Sequence, residues 1–506
     1  MATRDDRLAP PVAEAPVGPA NPAPLARQTL AYGLTGLIVP LVGLITLPVF
    51  ARVFTRSQYG ILELATTTGT VVVTLTDLGM MAATLRSFYD YRDEQEPERR
   101  NVVLTGFLTT AAAALTAAAL MILLREQVSS AVFGRAGLGT IVVLVALTVP
   151  ALNTWRFTSE VMRIRQQAFY YFALSVVAAA ISTVLGVVGV LAFDWRVKGV
   201  IVAGLIAAVL SAAGALFVIR RSLAGRFSRT HQRAMLAFGL PLVPSALSAW
   251  ALALIDRIIL ARLGTLSEVG QYAIANRISM LMMLGMTAFL FALTPFLFSV
   301  YAEDPLQEKA ARGRTLTYLV FILSISGLAL TLYAKEVLDI VAPKFDDAYL
   351  AVGPLVLGTA ANGIATLLTT GISIVRRTVY LAVFGVLCAA LNIGLNVALI
   401  PPFGIVGAAI ATTIGYGALA ISYYWISQRL YPTPYEPSKV LTMLTVASLL
   451  AIIGLLPIEP LGLAIAVKLA ALGAFVGISW LAGAMTRTEY RELRRFVAGM
   501  LRVAPG

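Results

Sequence analysis

The chain has 506 residues, 58% hydrophobic and only 13% charged, with a mean hydropathy of +0.83. Soluble domains carry about twice that share of charge, so a soluble enzyme is excluded, and the net charge of +13 reads as cytoplasmic Lys/Arg bias rather than nucleic-acid affinity. A single cysteine, Cys388, and a single histidine, His231, exclude an intrachain disulfide, a cysteine metal site and a histidine relay.

In chain order, residues 1–27 are rich in Pro and Ala, lack the apolar centre of a signal peptide, and are expected to form a disordered cytoplasmic tail. Apolar runs then recur almost to the C-terminus. Each is long enough to cross a hydrocarbon core of about 30 Å as a helix. Window reading predicts about fourteen spans, at 28–51, 60–83, 101–124, 138–155, 169–192, 198–219, 234–260, 270–300, 314–333, 348–371, 378–400, 403–426, 439–457 and 461–485. The alternating ten-residue strands of a membrane barrel are absent, so the expected class is an all-α polytopic membrane protein. With the N-terminus inside, inner segments hold 27 Lys and Arg and outer loops 10. Both termini are therefore expected in the cytoplasm, and no outer loop is long enough to fold as a domain.

Two echoes divide the chain. The turn at Ala51-Arg52-Val53-Phe54-Thr55-Arg56-Ser57-Gln58-Tyr59-Gly60 returns, offset by 210 residues, as Ala261-Arg262-Leu263-Gly264-Thr265-Leu266-Ser267-Glu268-Val269-Gly270. At an offset of 208, Gly186 matches Gly394, and Trp195–Gly199 matches Phe403–Gly407. Spans one to six thus correspond to spans seven to twelve. Six is even, so the halves enter the membrane in the same orientation, an arrangement that puts a substrate site between them. The expected units are lobes at 28–225 and 226–433, two extra spans at 434–485 and a cytoplasmic tail at 486–506, with the basic segment Arg220–Arg233 as linker.

Charges inside membrane-length helices are costly and face a partner or a cavity. Asp256 and Arg257 fall in span seven, Arg277 in span eight about 10 Å deep if that helix starts near Gly270, and Lys468 at similar depth in span fourteen. Asp256 is a candidate partner for Arg277. Adjacent helical residues point about 100° apart, so Asp256 and Arg257 are not expected to pair with each other. Arg52 and Arg262 occupy equivalent outer positions, and Arg86 and Asp77 lie near the inner end of span two. Pro241 and Pro244 remove helix donors and should kink span seven, as a gating hinge or a static bend. Asn392 and Asn396 share one face of span eleven. Matched by depth, Asn392 lies level with Thr412 and Asn396 with Ala408, and with Asp256 they offer the oxygens a sodium ion accepts. Interhelical hydrogen bonding, worth about 0.6 kcal/mol per contact, is the structural alternative.

The order and spacing of Tyr32-Gly33, Thr55…Tyr59-Gly60, Asp77-Leu78-Gly79, Arg86, Gly239-Leu240-Pro241, Asp256-Arg257, Val269-Gly270-Gln271-Tyr272, Asn392…Asn396…Pro401 and Phe403–Thr412 resemble the oligosaccharide flippases. These form the polysaccharide transporter branch of the multidrug/oligosaccharidyl-lipid/polysaccharide exporter superfamily, and the resemblance covers residues 28–485. It implies two six-helix lobes like those of multidrug extruders, with two added C-terminal helices. The implied activity carries polyprenyl-diphosphate-linked oligosaccharide from the inner to the outer leaflet of a bacterial or archaeal cytoplasmic membrane, for O-antigen, capsule or exopolysaccharide, without catalysis. The implied partners are membrane lipids and, beside the substrate, a polysaccharide polymerase with chain-length machinery; no nucleic acid is implied. An anionic diphosphate crossing a low-dielectric slab needs fixed positive charge. Arg277, Arg52, Arg257, Lys468 and Arg86 are the expected cavity residues, with Arg262 at its mouth. Asp256, Asn392, Asn396 and Thr412 are the expected coupling residues for Na+ or H+, with no other cofactor. In the branch that handles the lipid-linked peptidoglycan precursor, a sodium site uses the equivalents of spans seven, eleven and twelve, but with an acid where this chain has Asn396. The alternative within the superfamily is a multidrug extruder, whose cavities favour acids. A membrane glycosyltransferase would need acid/base residues in a sizeable outer loop, and Arg125–Gly137 and Ala334–Asp347 are short.

Overall fold

A computed structural model describes residues 22–303, 305–485 and 491, and every regular element in it is helical. The first half contains α1 (Pro22–Val53), α2 (Arg56–Thr76), α3 (Met80–Tyr89), α4 (Glu96–Leu123), α5 (Arg125–Phe133), α6 (Gly139–Ile164), α7 (Ala168–Leu191) and α8 (Arg196–Ile219). The second contains α9 (Arg229–Gly239), α10 (Val243–Leu263), α11 (Leu266–Glu303), α12 (Pro305–Leu332), α13 (Ala334–Val341), α14 (Tyr349–Ile374) and α15 (Val379–Leu430). Two further helices follow, α16 (Pro437–Ala451) and α17 (Leu461–Leu481). By length and apolarity ten described helices can cross a membrane, eleven with the bent pair α2–α3. The 52-residue element α15 is two helices joined at a kink at Gly404, so it holds both of the predicted spans 378–400 and 403–426.

Several boundaries differ from expectation for local reasons. Of the predicted N-terminal tail, residues 1–21 lie outside the described residues, and Pro22 already opens α1. The predicted tail 486–506 also lies outside them, apart from Arg491. The last five residues of the expected linker, Arg229–Arg233, are helical: Ser228 is extended and its side chain accepts from the backbone N–H of His231, which starts α9. Pro241 and Pro244 fall where a 3-10 turn joins α9 to α10 within one helical run, Arg229–Leu263. Pro241 sits in the 3-10 turn Leu240–Leu242 that separates α9 from α10, and Pro244 falls in the first turn of α10, where a missing N–H has no helical partner to lose.

The halves repeat one another. In the first, α1 packs on α7, α4 on α6, and α6 on α8; in the second, α10 and α14 pack on α15 and α12 packs on α14. Both echoes have structural counterparts. Thr55 caps α2 in a box with Gln58, and Thr265 caps α11 in the same way with Glu268. The α7–α8 turn places Arg196 at φ 48°, and the matched Gly404 folds α15 back on itself at φ 53°.

The halves meet through their two capped helices. A Cβ on Gly60 of α2 would fall 2.1 Å from the carbonyl oxygen of Leu266, and one on Gly270 of α11 would fall 2.0 Å from that of Arg56. Only hydrogen fits at either position. Cross-contacts are reciprocal. Arg52 donates to the Ile340 carbonyl on α13 at 2.9 Å, while its counterpart Arg262 donates to the Ala131 carbonyl on α5 at 2.8 Å. Arg56 adds hydrogen bonds to Asp346 and the Lys344 carbonyl. On the face that the Lys/Arg bias makes external, each half thus closes on a short helix of the other. At the opposite end Gly79 and Gly239 touch: a Cβ on Gly79 would lie 2.2 Å from the Gly239 carbonyl oxygen. Arg86 stacks there over Phe238, 4.6 Å from the ring centroid.

Candidate functional site

A chain of alternating charge runs between the halves, on α10, α2 and α11. Arg257 is 1% exposed, although it lies in an apolar helix. Its Nε donates to Glu63 Oε1 at 2.9 Å, and its Nη1 donates to Asp256 Oδ1 and to the Ala253 carbonyl, at 2.8 and 2.7 Å. The expectation that neighbours on a helix would not pair fails here because the guanidinium curls back along its own helix. The Asp256 side chain also accepts from the Arg257 backbone N–H at 2.8 Å. Its other oxygen, Oδ2, accepts from Tyr272 and, at 3.2 Å, from Thr412 of α15.

Glu63 extends the chain to Arg277. The Arg277 Nη2 lies 3.9 Å from Glu63 Oε2, and the guanidinium lies over the Tyr59 ring, 5.7 Å from its centroid. Asp256 is therefore not the partner of Arg277; a carboxylate on α2, already shared with Arg257, takes that place. The two arginines differ in availability. Arg257 has its Nε and Nη1 donors bound and is sealed, whereas the Arg277 side chain is 34% exposed and its Nε has no acceptor among the described residues. Tyr59 and Tyr272, both almost fully buried, flank the pair as aromatic walls.

The remaining predicted residues fall in separate places. Lys468 is 3% exposed, yet its ammonium is bound to Glu336 on α13 and lies 5.6 Å from the Tyr333 centroid. It is held by an ion pair between α17 and α13, away from the charge chain. Arg52 belongs to the outer contact and Arg86 to the inner one. Asp77 sits in the break between α2 and α3, where it accepts from the Met81 N–H at 3.4 Å.

The predicted coupling residues come together only in part. Asp256 and Thr412 meet directly. Asn396 Nδ2 instead donates to the Asn392 carbonyl at 2.9 Å and to its side-chain oxygen at 3.2 Å. The level of Asn392 is also about a turn from the predicted one: a Cβ on Gly415 would lie 3.0 Å from the Asn392 Cβ, because α15 folds at Gly404 rather than between Pro401 and Pro402. Asn392 Nδ2 and Asn396 Oδ1 are buried without partners. In this arrangement both Asp256 oxygens accept from donors, and Arg257 pairs with the carboxylate. Among the described residues no group of three or more His, Cys, Asp or Glu is arranged to hold a metal.

Glu63 is the member of this charge chain that sequence reading missed. Its signal was present: a carboxylate inside a membrane-length apolar helix requires a cation. Its partners, 194 and 214 residues away, are visible only in the fold.

Comparison with known proteins adds a lineage. The family model described as "Polysaccharide biosynthesis protein" matches residues 25–300. No curated protein matches the chain. Among solved structures, the lipid II flippase MurJ in an inward closed conformation aligns with a TM-score of 0.71 at 13% identity, over 89% of this chain and 98% of that one. A multidrug resistance MATE family transporter of the MOP superfamily aligns in its outward-facing form with a TM-score of 0.58 at 14% identity, over 80% of this chain and 95% of that one. An inward-facing MATE structure aligns at 0.57 and 17% identity, over 80% and 94%. These likenesses are of fold.

Proposed function

The chain belongs to the polysaccharide biosynthesis protein family, and from that premise we propose that it is a flippase, not an enzyme, for polyprenyl-diphosphate-linked oligosaccharide in the cytoplasmic membrane. The observation that carries this reading is Arg277. It is a guanidinium within the apolar helix α11, next to the crossing of the halves, one-third exposed and sharing a carboxylate with a better-bound arginine. An oligosaccharide diphosphate is the anion that such a donor fits, through charge-assisted and bidentate hydrogen bonds. An organic-cation extruder has no use for an accessible positive charge in its path.

Alternating access follows from the two-ended closure. Outer contacts at Arg52, Arg56 and Arg262 and inner contacts at Gly79 and Gly239 alternate, while the capped helices α2 and α11 pivot at Gly60 and Gly270. The charge chain links this movement to an ion. A diphosphate on Arg277 withdraws it from Glu63, Glu63 then holds Arg257 more tightly, and Asp256 is released to a sodium ion or a proton. Coupling of this kind is reciprocal: the cation strengthens diphosphate binding by the factor by which the diphosphate strengthens cation binding.

Proteoliposomes containing the chain test the proposal. Lipid-linked oligosaccharide should change leaflet faster under an applied sodium or proton gradient than without one. Movement of organic cations with no movement of lipid-linked oligosaccharide would identify an extruder instead.

A further inference from the structure

We propose that an open cavity in the first half, lined by α1, α3, α6, α7 and α8, recognises the sugar-diphosphate headgroup before it reaches Arg277. This inference rests on the flippase reading and names where that substrate is first read. The cavity has a volume of about 980 Å³. Arg156 and Arg163 of α6 line it with Trp155, Tyr171, Ser175 and Ser211. Arg156 and Arg163 are two helical turns apart, hence on one face and about 10 Å from each other along the axis. Arg163 is in the last turn of α6, at the end the Lys/Arg bias makes cytoplasmic.

The lining matches the ligand in three respects. First, the cations are accessible. Arg156 is exposed, and the carboxylate it faces, Asp77, lies beyond direct ion-pairing distance. Arg163 is 62% exposed on its side chain and holds Glu160 at 2.7 Å, a carboxylate that a diphosphate can displace. Second, Trp155 and Tyr171 stack with centroids 6.1 Å apart and planes within 8°, which builds a rigid half-buried aromatic surface against which the apolar face of a sugar ring packs. Third, Ser175 and Ser211 donate to carbonyls of their own helices, at 2.7 and 3.0 Å, so their oxygens are left as acceptors for sugar hydroxyls. A lipid tail needs none of these groups, and a bare phosphate does not need the aromatic pair. The two arginines then act in sequence, Arg163 at the mouth and Arg156 two turns deeper.

The test uses the full chain in nanodiscs of zwitterionic lipid and a radiolabelled farnesyl diphosphate carrying one N-acetylhexosamine. Unlabelled competitors are bare farnesyl diphosphate, inorganic pyrophosphate and phosphatidylglycerol. The sugar-bearing probe should bind best. Arg156→Ala should weaken it about tenfold while Arg156→Lys keeps part of the affinity, and Trp155→Ala should weaken the sugar-bearing probe but not bare farnesyl diphosphate. Glu160→Gln should tighten binding severalfold, because it removes the competing anion; a merely structural role for these residues would not produce a gain. Three results would overturn the pocket: no binding by the wild-type chain, equal competition by phosphatidylglycerol, or wild-type affinity in well-folded Arg156→Ala. In proteoliposomes, normal outward delivery by Arg156→Ala would remove the pocket and leave the flippase reading standing. No delivery by the wild-type chain would remove the flippase reading itself.

Discussion

Two arginines on neighbouring helices share Glu63, and their surroundings assign them different tasks. Arg257, 1% exposed, bridges Asp256 and Glu63, and its single charge balances one of these two carboxylates. Truncating one member of such a buried network leaves charge without a partner and costs about 3–5 kcal/mol. Arg277 is held by a 3.9 Å contact with Glu63 and by Tyr59, in partly accessible surroundings where such an ion pair is worth about 0–1 kcal/mol. Thermal melting of the purified chain should therefore show Arg257→Ala strongly destabilised and Arg277→Ala close to wild type. Equal losses would mean that Arg277 is as structural as Arg257. Position and charge of these residues were legible in the sequence, because an arginine in an apolar helix stands out. Their pairing was not. Adjacent residues were kept apart by an argument about Cβ directions, which the long arginine side chain evades, and Glu63 joined the network from another helix.

At the scale of elements, the repeated turn is where the proposed cycle pivots. Thr55 and Thr265 start α2 and α11, and Gly60 and Gly270, one turn further on, let these helices cross at backbone distance. A methyl group at Gly270 would have to occupy the place of the Arg56 carbonyl oxygen. Gly270→Ala should thus push the halves apart, lower the melting temperature and abolish transport, whereas Gly473→Ala, with open space around its Cβ, should do neither. Wild-type transport by Gly270→Ala would show that the crossing does not move with the cycle. The element order and repeat could be read in advance because apolar run length and turn residues are local properties. The breaks were harder. The sequence shows that prolines occur near residue 241 but not that a 3-10 turn absorbs them, and it places the fold of α15 near Pro401 rather than at Gly404, whose left-handed backbone sets the level of Asn392.

For the whole molecule, sidedness converts the paired closures into a direction of transport. The bias of 27 to 10 Lys and Arg is the basis for the expectation that both termini are cytoplasmic and that the contacts of Arg52, Arg56 and Arg262 face outside. Reporter fusions after Gly225 and Arg377 should read cytoplasmic, and fusions near Gly137 and Asp347 external. An external reading at Gly225 would break the parallel relation of the halves, since it requires an odd number of crossings before the linker.

The measurement that bears most directly on the account is the leaflet distribution of lipid-linked oligosaccharide in cells carrying Arg277 variants. Arg277→Lys keeps a point charge but loses the planar fork, and should deliver part of the wild-type amount to the outer leaflet. Arg277→Ala and Arg277→Glu should reach the membrane at normal abundance and leave the lipid-linked sugar on the inner leaflet. Normal outer-leaflet delivery by Arg277→Ala would contradict the account and reduce Arg277 to a structural neighbour of Glu63.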